Sequence, residues 1–289
     1  MEYSMKQNIR YRYSFLLTYL LLCGPVLLAQ QTAQLSGKYF QVEFDQRKGL
    51  YSLWNNGKLI VSNARWEVQT EEDILKSSDP GMKFESVIDE FSDTLGIGQM
   101  MQIMMNQSGL DISVQFKIYN SKNLMTINSE LINVSAKNIP LQEIRPLVVD
   151  GQKTGSLLVS EKIEGTRLLT QGYSFVDSGE LFFLRDEHFE YSSNWNLAFY
   201  NTIDALGVTI GALNFDQTET QLFVGYDPKN AGDGPSPGFS FKIACSTNKP
   251  GSNMLRYKKT EKHSVWITNG RDNEVDYWLP DDRTEAYHK

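Results

Sequence analysis

The stretch LDISVQFKIY, Leu110–Tyr119, decides the fold class. Apolar residues alternate with polar ones along it, so that successive side chains of an extended chain fall on opposite sides. A helix would need apolar residues at intervals of three and four, and this stretch does not have that spacing. The pattern therefore predicts a β-strand with one buried face and one face toward water.

Strand patterns continue on both sides of this stretch. Asn55-Asn56-Gly57 separates two apolar runs and predicts a tight hairpin, because Asn and Gly accept the positive φ that such turns require. The other predicted strands are short apolar or alternating runs, namely Phe40–Phe44, Met125–Leu131, Leu141–Val149, Ser156–Ser160, Leu181–Leu184, Leu197–Tyr200, Leu206–Phe215, Gln221–Tyr226, Phe239–Ala244 and His263–Ile267. The polar segment Asp73–Pro80 is predicted to be a loop. Turn residues recur about every ten positions, as expected of an all-β sandwich.

The N-terminus has the layout of a secretory signal peptide. Lys6, Arg10 and Arg12 precede a short apolar run, Phe15–Ala29, that ends in a small residue. The run is too short to span a bilayer comfortably, and Gly24-Pro25 interrupts it. We therefore expect residues 1–29 to be removed and the protein to be secreted or periplasmic, with no membrane span.

Cys23 leaves a second possibility for the leader, a lipid-modified cysteine. Leu22 before it is bulky where such sites usually carry a small residue, which argues against a lipoprotein. After cleavage near Ala29 only Cys245 remains, so no intrachain disulfide is expected. Loss of three basic groups and one acid would change the net charge from −7 to −9. An acidic surface repels phosphate, so nucleic acid is not an expected partner.

The mature chain is predicted to be one sandwich domain over 30–267, with 268–289 as a polar C-terminal extension or the start of a linker. No motif for a cofactor is present: the sequence lacks a Gly-rich phosphate loop, a Gly-x-Ser-x-Gly elbow and His-Glu-x-x-His. The three histidines lie far apart, and the methionine-rich Gln99–Met105 is interpreted as core filling rather than a soft-metal site. We expect no cofactor and no metal, and we identify no catalytic residue.

One stretch combines aromatic side chains with carboxylates, Arg167–Asn201. Aromatic rings cover the apolar faces of sugars and carboxylates accept hydrogen bonds from hydroxyls, so this composition suits carbohydrate. Gly172 and Gly179 predict that much of the stretch is loop. The competing interpretation is a β-hairpin whose aromatic residues are core and whose acids are solvated. The candidate carbohydrate-binding residues are Tyr173, Asp177, Glu180, His188 and Trp195.

The order of several short motifs from about Gly96 to Tyr226 resembles the N-terminal β-sandwich of family 36 (melibiase-type) α-galactosidases. The matching pieces are Leu95-Gly96-Ile97-Gly98, the strand Leu110–Tyr119, Leu131-Ile132-Asn133-Val134-Ser135, Ile144-Arg145-Pro146-Leu147, Leu168-Leu169-Thr170-Gln171-Gly172-Tyr173, Ser193-Asn194-Trp195 and Leu206–Leu213. The family often continues Gly-Tyr with Gln-Ser-Trp, where this chain has Ser174-Phe175-Val176. The resemblance implies a large two-sheet antiparallel supersandwich of the galactose-mutarotase-like kind.

The resemblance also implies a role. In the family the catalytic aspartates lie in a (β/α)₈ barrel after the sandwich, and a barrel needs about 250 further residues. This sequence ends at Lys289, so we expect an accessory domain that binds a galactoside-type glycan beside a catalytic barrel, without the barrel itself. Two alternatives stay open. One is a stand-alone mutarotase-like epimerase or lyase that uses His188 and a nearby Glu, and the other is a structural domain without a ligand.

Overall fold

A computed structural model describes residues 32–151, 155–172, 179–213, 219–229, 238–246, 253–254 and 263–271. Within these ranges the secondary structure consists of strands and turns, which confirms the all-β prediction. The strands are β1 Thr32–Ser36, β2 Phe40–Asp45, β3 Leu50–Asn55, β4 Lys58–Thr70, β5 Ile74–Lys76, β6 Glu85–Asp93, β7 Gly96–Gln107, β8 Leu110–Tyr119, β9 Leu124–Asn133, β10 Ile139–Asp150, β11 Ser156–Leu157, β12 Thr166–Thr170, β13 Leu181–Phe183, β14 Phe189–Asn194, β15 Asn196–Asn201, β16 Leu206–Ala212, β17 Glu219–Tyr226, β18 Ser240–Ser246, β19 Asn253–Met254 and β20 His263–Arg271.

The strands form two antiparallel sheets. The larger, eleven-stranded sheet has the order β1-β2-β3-β4-β10-β18-β17-β14, with β5 and β11 paired to β4 and β19 paired to β10. The smaller, nine-stranded sheet has the order β13-β12-β15-β16-β20-β9-β8-β7-β6. Two large sheets with one buried face each form the supersandwich that the family resemblance implied.

The core lies on one face of each sheet. In the smaller sheet Met101, Phe116 and Ile127 are opposite one another on β7, β8 and β9, and all three are fully buried. Met101 thus fills the core, as the interpretation of the methionine-rich segment proposed. From the larger sheet, Tyr51 meets Phe116 edge to face, with ring centroids 4.9 Å apart, and this contact joins the two layers.

The predicted hairpin at Asn55-Asn56-Gly57 is confirmed. Asn56 and Gly57 have φ values of 49° and 76°, and the flanking Asn55 and Lys58 pair as the first rung between β3 and β4. Two left-handed residues in a two-residue loop match the right-handed twist of the strands that they join. The local sequence therefore determines the path of the chain at this turn.

Three sequence expectations need revision. The segment Asp73–Pro80 is not all loop, because Ile74–Lys76 pairs with β4. The predicted strand His263–Ile267 continues to Arg271 as β20, still paired with β16. The expectation that much of Arg167–Asn201 is loop is wrong for its described part, which is mainly the strands β12 to β15. The physical reason is that several of its aromatic and aliphatic side chains are buried between the sheets.

Within the described ranges, no helix has the length and apolar character needed to cross a bilayer.

Candidate functional site

The predicted site lies where the chain passes from one sheet to the other. β14 is the edge of the larger sheet, β15 belongs to the smaller one, and Trp195 is the single residue between them. The Trp195 N–H donates to the carbonyl of Thr220 on β17 at 3.0 Å, and its carbonyl accepts from the N–H of Ala212 on β16 at 2.7 Å. The backbone of Trp195 thus bonds to both sheets at one corner of the sandwich.

Trp195 has an unusual backbone for a large residue. Its φ is 62°, in the left-handed region that glycine occupies freely and bulky side chains rarely adopt. The side chain is half-buried. Backbone strain of this kind costs on the order of 1–3 kcal/mol and persists only where the surroundings fix it, as the hydrogen bonds to Thr220 and Ala212 do.

Ser193 ties this corner to Gln171, the residue after β12. Its buried hydroxyl accepts a hydrogen bond of 2.7 Å from the Gln171 N–H and donates to the carbonyl of Asn196. The Asn194 N–H also donates to the Gln171 carbonyl, at 2.9 Å. The sequence analysis gave Ser193 no role of its own. The only signal for it was its place in Ser193-Asn194-Trp195.

Thr170 and Glu180 are hydrogen-bonded to each other close to the same corner. The Thr170 N–H donates to the Glu180 carbonyl at 2.9 Å, and the Glu180 N–H donates to the Thr170 hydroxyl at 3.2 Å. Thr170 pairs with Leu197, two residues after Trp195. The structure therefore places the Glu180 backbone near the Trp195 corner, and the Glu180 side chain is exposed. Tyr173 and Asp177 lie outside the described residues.

Gly179 is required for this closure. Its φ is 87°, and a Cβ built there would lie 2.1 Å from the Thr170 carbonyl oxygen. We expect Gly179→Ala to lower the free energy of unfolding by more than the roughly 1 kcal/mol that the left-handed backbone alone costs. Gly57→Ala is the matched control, because Gly57 also has positive φ and a Cβ there meets no atom within 4 Å. Equal losses for the two variants in urea unfolding would contradict the close packing of Gly179.

His188 lies apart from Trp195. It is exposed and directly precedes β14, whereas Trp195 directly follows that strand. The six residues of β14, at 3.2–3.4 Å each, lie between them and separate His188 from Trp195 by roughly 20 Å. The structure therefore places Glu180 and Trp195 at one end of β14 and His188 at the other.

Several other aromatic residues in the described part of the stretch are packing partners. Phe182 stacks on Tyr191 with centroids 3.9 Å apart, and Tyr191 stacks on Phe189 at 5.2 Å. Tyr226 continues this column and donates from its hydroxyl to Asp186 at 2.7 Å. Burial, with the hydrogen bond to Asp186, raises the pKa of Tyr226 to about 12, so the hydroxyl stays protonated at neutral pH. For these rings the core interpretation describes the structure.

No arrangement of three or more His, Cys, Asp or Glu side chains suited to a metal ion occurs among the described residues. Buried Cys245 is an inert thiol rather than a ligand or nucleophile, since burial raises its pKa to about 12. The chemistry of the corner is therefore that of a half-buried indole, an exposed carboxylate and backbone amides. Such groups can bind a neutral polyhydroxylated ligand through stacking and hydrogen bonds.

No protein-family model and no curated protein sequence matches this chain. Among solved structures, it is similar to α-galactosidases of Lactobacillus brevis and Geobacillus stearothermophilus, with TM-scores of 0.51 and 0.53 and 9% identity. In both cases 83% of this chain is covered, against 39% and 40% of the enzymes. The chain thus spans about two fifths of the length of these α-galactosidases.

A Synechocystis protein is similar at a TM-score of 0.54 and 8% identity, and there the match covers 83% of this chain and 96% of the other. Identities this low establish the fold alone. The chain has the all-β supersandwich fold found in family 36 α-galactosidases, as its resemblance to their N-terminal domain implied.

Proposed function

We propose that the protein is an accessory carbohydrate-binding domain that works beside an α-galactosidase-like catalytic barrel. The ligand is a galactoside-type glycan held at the corner formed by Trp195 and Glu180, and we infer that Tyr173 and Asp177, which lie outside the described residues, contribute to its binding. The observation that carries this proposal is Trp195, a half-buried indole on a left-handed backbone at the junction of the two sheets.

Glycine would adopt the backbone conformation of Trp195 without strain. A large aromatic residue with this backbone conformation carries a conformational cost that glycine would avoid. Because the ring is only half-buried, core packing accounts for part of its surface alone. A sugar face stacked on the exposed part would remove more of that apolar surface from water, and the Glu180 carboxylate would accept hydrogen bonds from hydroxyls.

The choice of galactosides rests on the fold neighbours. One Geobacillus α-galactosidase of this fold was solved with raffinose and another structure of it with 1-deoxygalactonojirimycin. An α-N-acetylgalactosaminidase of Bifidobacterium bifidum is similar as well, at a TM-score of 0.51 and 8% identity over 83% of this chain and 36% of that enzyme. Galactose-like ligands are therefore the first class to test.

Titration calorimetry with raffinose tests the proposal. We expect weak binding, at about millimolar Kd or −4 kcal/mol, because an isolated accessory surface must offset lost rigid-body freedom without the rest of a pocket. Trp195→Ala should abolish the heat of binding and leave the melting temperature nearly unchanged. Trp54→Ala, at a half-buried tryptophan on β3, and His188→Ala should both bind as the parent does. A collapse in stability of Trp195→Ala, with no response of the parent to raffinose, would contradict the proposal.

A second candidate function is a stand-alone sugar epimerase or lyase of the mutarotase type. It is favoured by the Synechocystis protein, because this fold accounts for 96% of that chain. Exposed His188, with Glu187 and Glu190 beside it in sequence, would supply the acid and base. Polarimetry of freshly dissolved α-galactose distinguishes the two: acceleration that His188→Ala removes favours the enzyme, and an unchanged spontaneous rate favours the binding domain.

We also propose that the protein is exported, because a basic segment followed by an apolar run precedes Gln30, as in a secretory signal peptide. Mass spectrometry of the exported protein should show an N-terminus close to Gln30. A diacylated Cys23 at the N-terminus would show instead that the protein is a lipoprotein. Exported protein that retains Met1 would contradict cleavage.

A further inference from the structure

Among the described residues, the strand β6 forms one end of the nine-stranded sheet and pairs with β7 alone. It is nine residues long, Glu85–Asp93, and most of its side chains are exposed. An edge strand of this length presents a row of backbone donors and acceptors to which another extended chain can bond. Edge strands are usually shorter or covered, so β6 is an unusually open edge of the part of the chain that the structure describes.

Both faces of β6 expose apolar side chains. Val87 is 52% exposed on the outer face of the sheet, and Ile88 is 50% exposed on the face that Met101 shares with the core. Ile97, opposite Ser92, is 61% exposed. The hairpin of β6 and β7 therefore extends beyond the opposing sheet at this point, and an added strand would cover apolar surface on both of its faces.

The hairpin geometry shows which backbone groups are free. Asp93 and Gly96 flank the two-residue turn Thr94-Leu95 and pair with each other, so their N–H and carbonyl groups are directed toward one another. The N–H and carbonyl groups alternate in direction along a strand, so those directed away from β7 belong to Ser92, Glu90, Ile88 and Ser86. The Glu90 N–H donates to the Asp89 side chain at 2.8 Å, which leaves the N–H groups of Ser92, Ile88 and Ser86 and the four carbonyls to pair with a strand of about eight residues.

The charged side chains of β6 indicate which kind of partner strand would bind to it. The strand carries four acids and no base, namely Glu85, Asp89, Glu90 and Asp93. Asp93 is paired with Lys117 at 2.7 Å, whereas Glu85, Asp89 and Glu90 form no ion pair with another described residue. Glu85 and Asp89 lie on the outer face with Val87, and the opposite face carries Ile88. A strand laid along β6 would meet the carboxylates of Glu85 and Asp89 on one side, the second of which also accepts the Glu90 N–H, and exposed Ile88 and Glu90 on the other.

A second copy of the chain is disfavoured at this edge in the register centred on Asp89. Two β6 strands paired antiparallel about Asp89 would bring Asp89 opposite Asp89 and Glu85 opposite Asp93, and like charges in direct cross-strand pairs are unfavourable. A basic strand has the complementary pattern. We propose that β6 is a docking edge for an extended segment of a partner protein, with Lys or Arg on one face and apolar residues on the other, which joins the nine-stranded sheet by strand addition.

The test uses an acetylated and amidated nonapeptide of alternating lysine and valine, labelled for fluorescence anisotropy. The parent protein should bind it, more weakly as salt is raised. Ile88→Pro should abolish binding, because it removes an outward N–H while keeping every bond to β7. Glu85→Lys combined with Asp89→Lys should weaken binding about tenfold or more, since two cross-strand attractions become repulsions.

Two controls make the result decisive. Glu71→Lys combined with Glu72→Lys reverses the same charge at exposed positions away from β6 and should bind as the parent does. A peptide of alternating glutamate and valine should not bind. The proposal would be overturned if the Glu71/Glu72 variant lost as much peptide affinity as the Glu85/Asp89 variant, or if folded Ile88→Pro bound the peptide fully. It would also be overturned if the parent protein eluted as a dimer and Ile88→Pro converted that dimer to a monomer.

Discussion

Glu67→Ala is expected to lower the free energy of unfolding by about 3 kcal/mol or more. Glu67 is on the outer face of β4, yet it is only 4% exposed. One carboxylate oxygen accepts from Arg65 Nε at 2.7 Å and the other from an Arg145 guanidinium nitrogen at 2.8 Å. Removal of the carboxylate leaves two half-buried guanidinium groups that have lost their shared partner, and breaking a buried ion pair in this way costs about 3–5 kcal/mol.

Asp150→Ala is the control for this prediction. Asp150 receives both terminal nitrogens of Arg65, at 2.7 and 2.9 Å, but its side chain is 53% exposed, so solvent screening limits the loss to about 1 kcal/mol. Urea unfolding of the two variants at neutral pH gives the comparison. Equal and small losses of unfolding free energy in the two variants would contradict the prediction, because they would mean that Glu67 and its two arginine partners are exposed to solvent.

Acid should weaken the same network. The hydrogen bonds from Arg65 hold the pKa of Asp150 below its ordinary value. A carboxyl whose pKa is lowered on folding contributes stability above its unfolded pKa of about 3.9, and that contribution is lost as the pH falls through the lower folded value. The contribution is small because of exposure, and Asp150→Ala should flatten the acid limb of stability by a correspondingly small amount.

Phe116→Ala is expected to cost about 3–5 kcal/mol, the second large effect. Phe116 is fully buried in the middle of β8 and lies edge-on to Tyr51 of the opposite sheet, so truncation removes an interlayer contact and leaves a cavity. Thermal and urea unfolding monitored by circular dichroism measure the loss.

Lys117→Ala, one residue along on the other face, should cost far less. Its ammonium donates to Asp93 at 2.7 Å and lies 4.5 Å from the centre of the Phe91 ring, so a loss of about 1 kcal/mol is expected rather than none. A loss at Lys117 that equals the loss at Phe116 would contradict the assignment of a single core face to β8.

The strands that have one buried face could be predicted from the sequence, because apolar and polar residues alternate along them. β9 shows where this signal weakens: Thr126, Asn128 and Ser129 are polar and buried, so its alternation is visible only in Met125, Ile127 and Leu131. β5 was missed because its three residues lie in a polar segment and pair with β4 only through tertiary structure. The sheet order, in which β10 lies between β4 and β18, has no local signal in the sequence.

Composition groups the candidate site residues along the sequence but does not show how the fold arranges them. Composition selected Trp195 and Glu180 because aromatic and acidic residues are visible in a sequence. It also grouped His188 with them, although β14 places His188 at its opposite end. The position of Trp195 between two sheets and the bridging role of Ser193 depend on strand pairing, which composition does not contain.

Mapping amide chemical shifts of the ¹⁵N-labelled protein during a raffinose titration tests the central claim most directly. The account predicts saturable shifts confined to the Trp195 corner, with Gln171, Gly179, Glu180, Trp195 and Asn196 among them, and no change around Arg65 and Arg145 on the outer face of the larger sheet. No saturable shift anywhere, or shifts confined to a surface away from this corner, would contradict it.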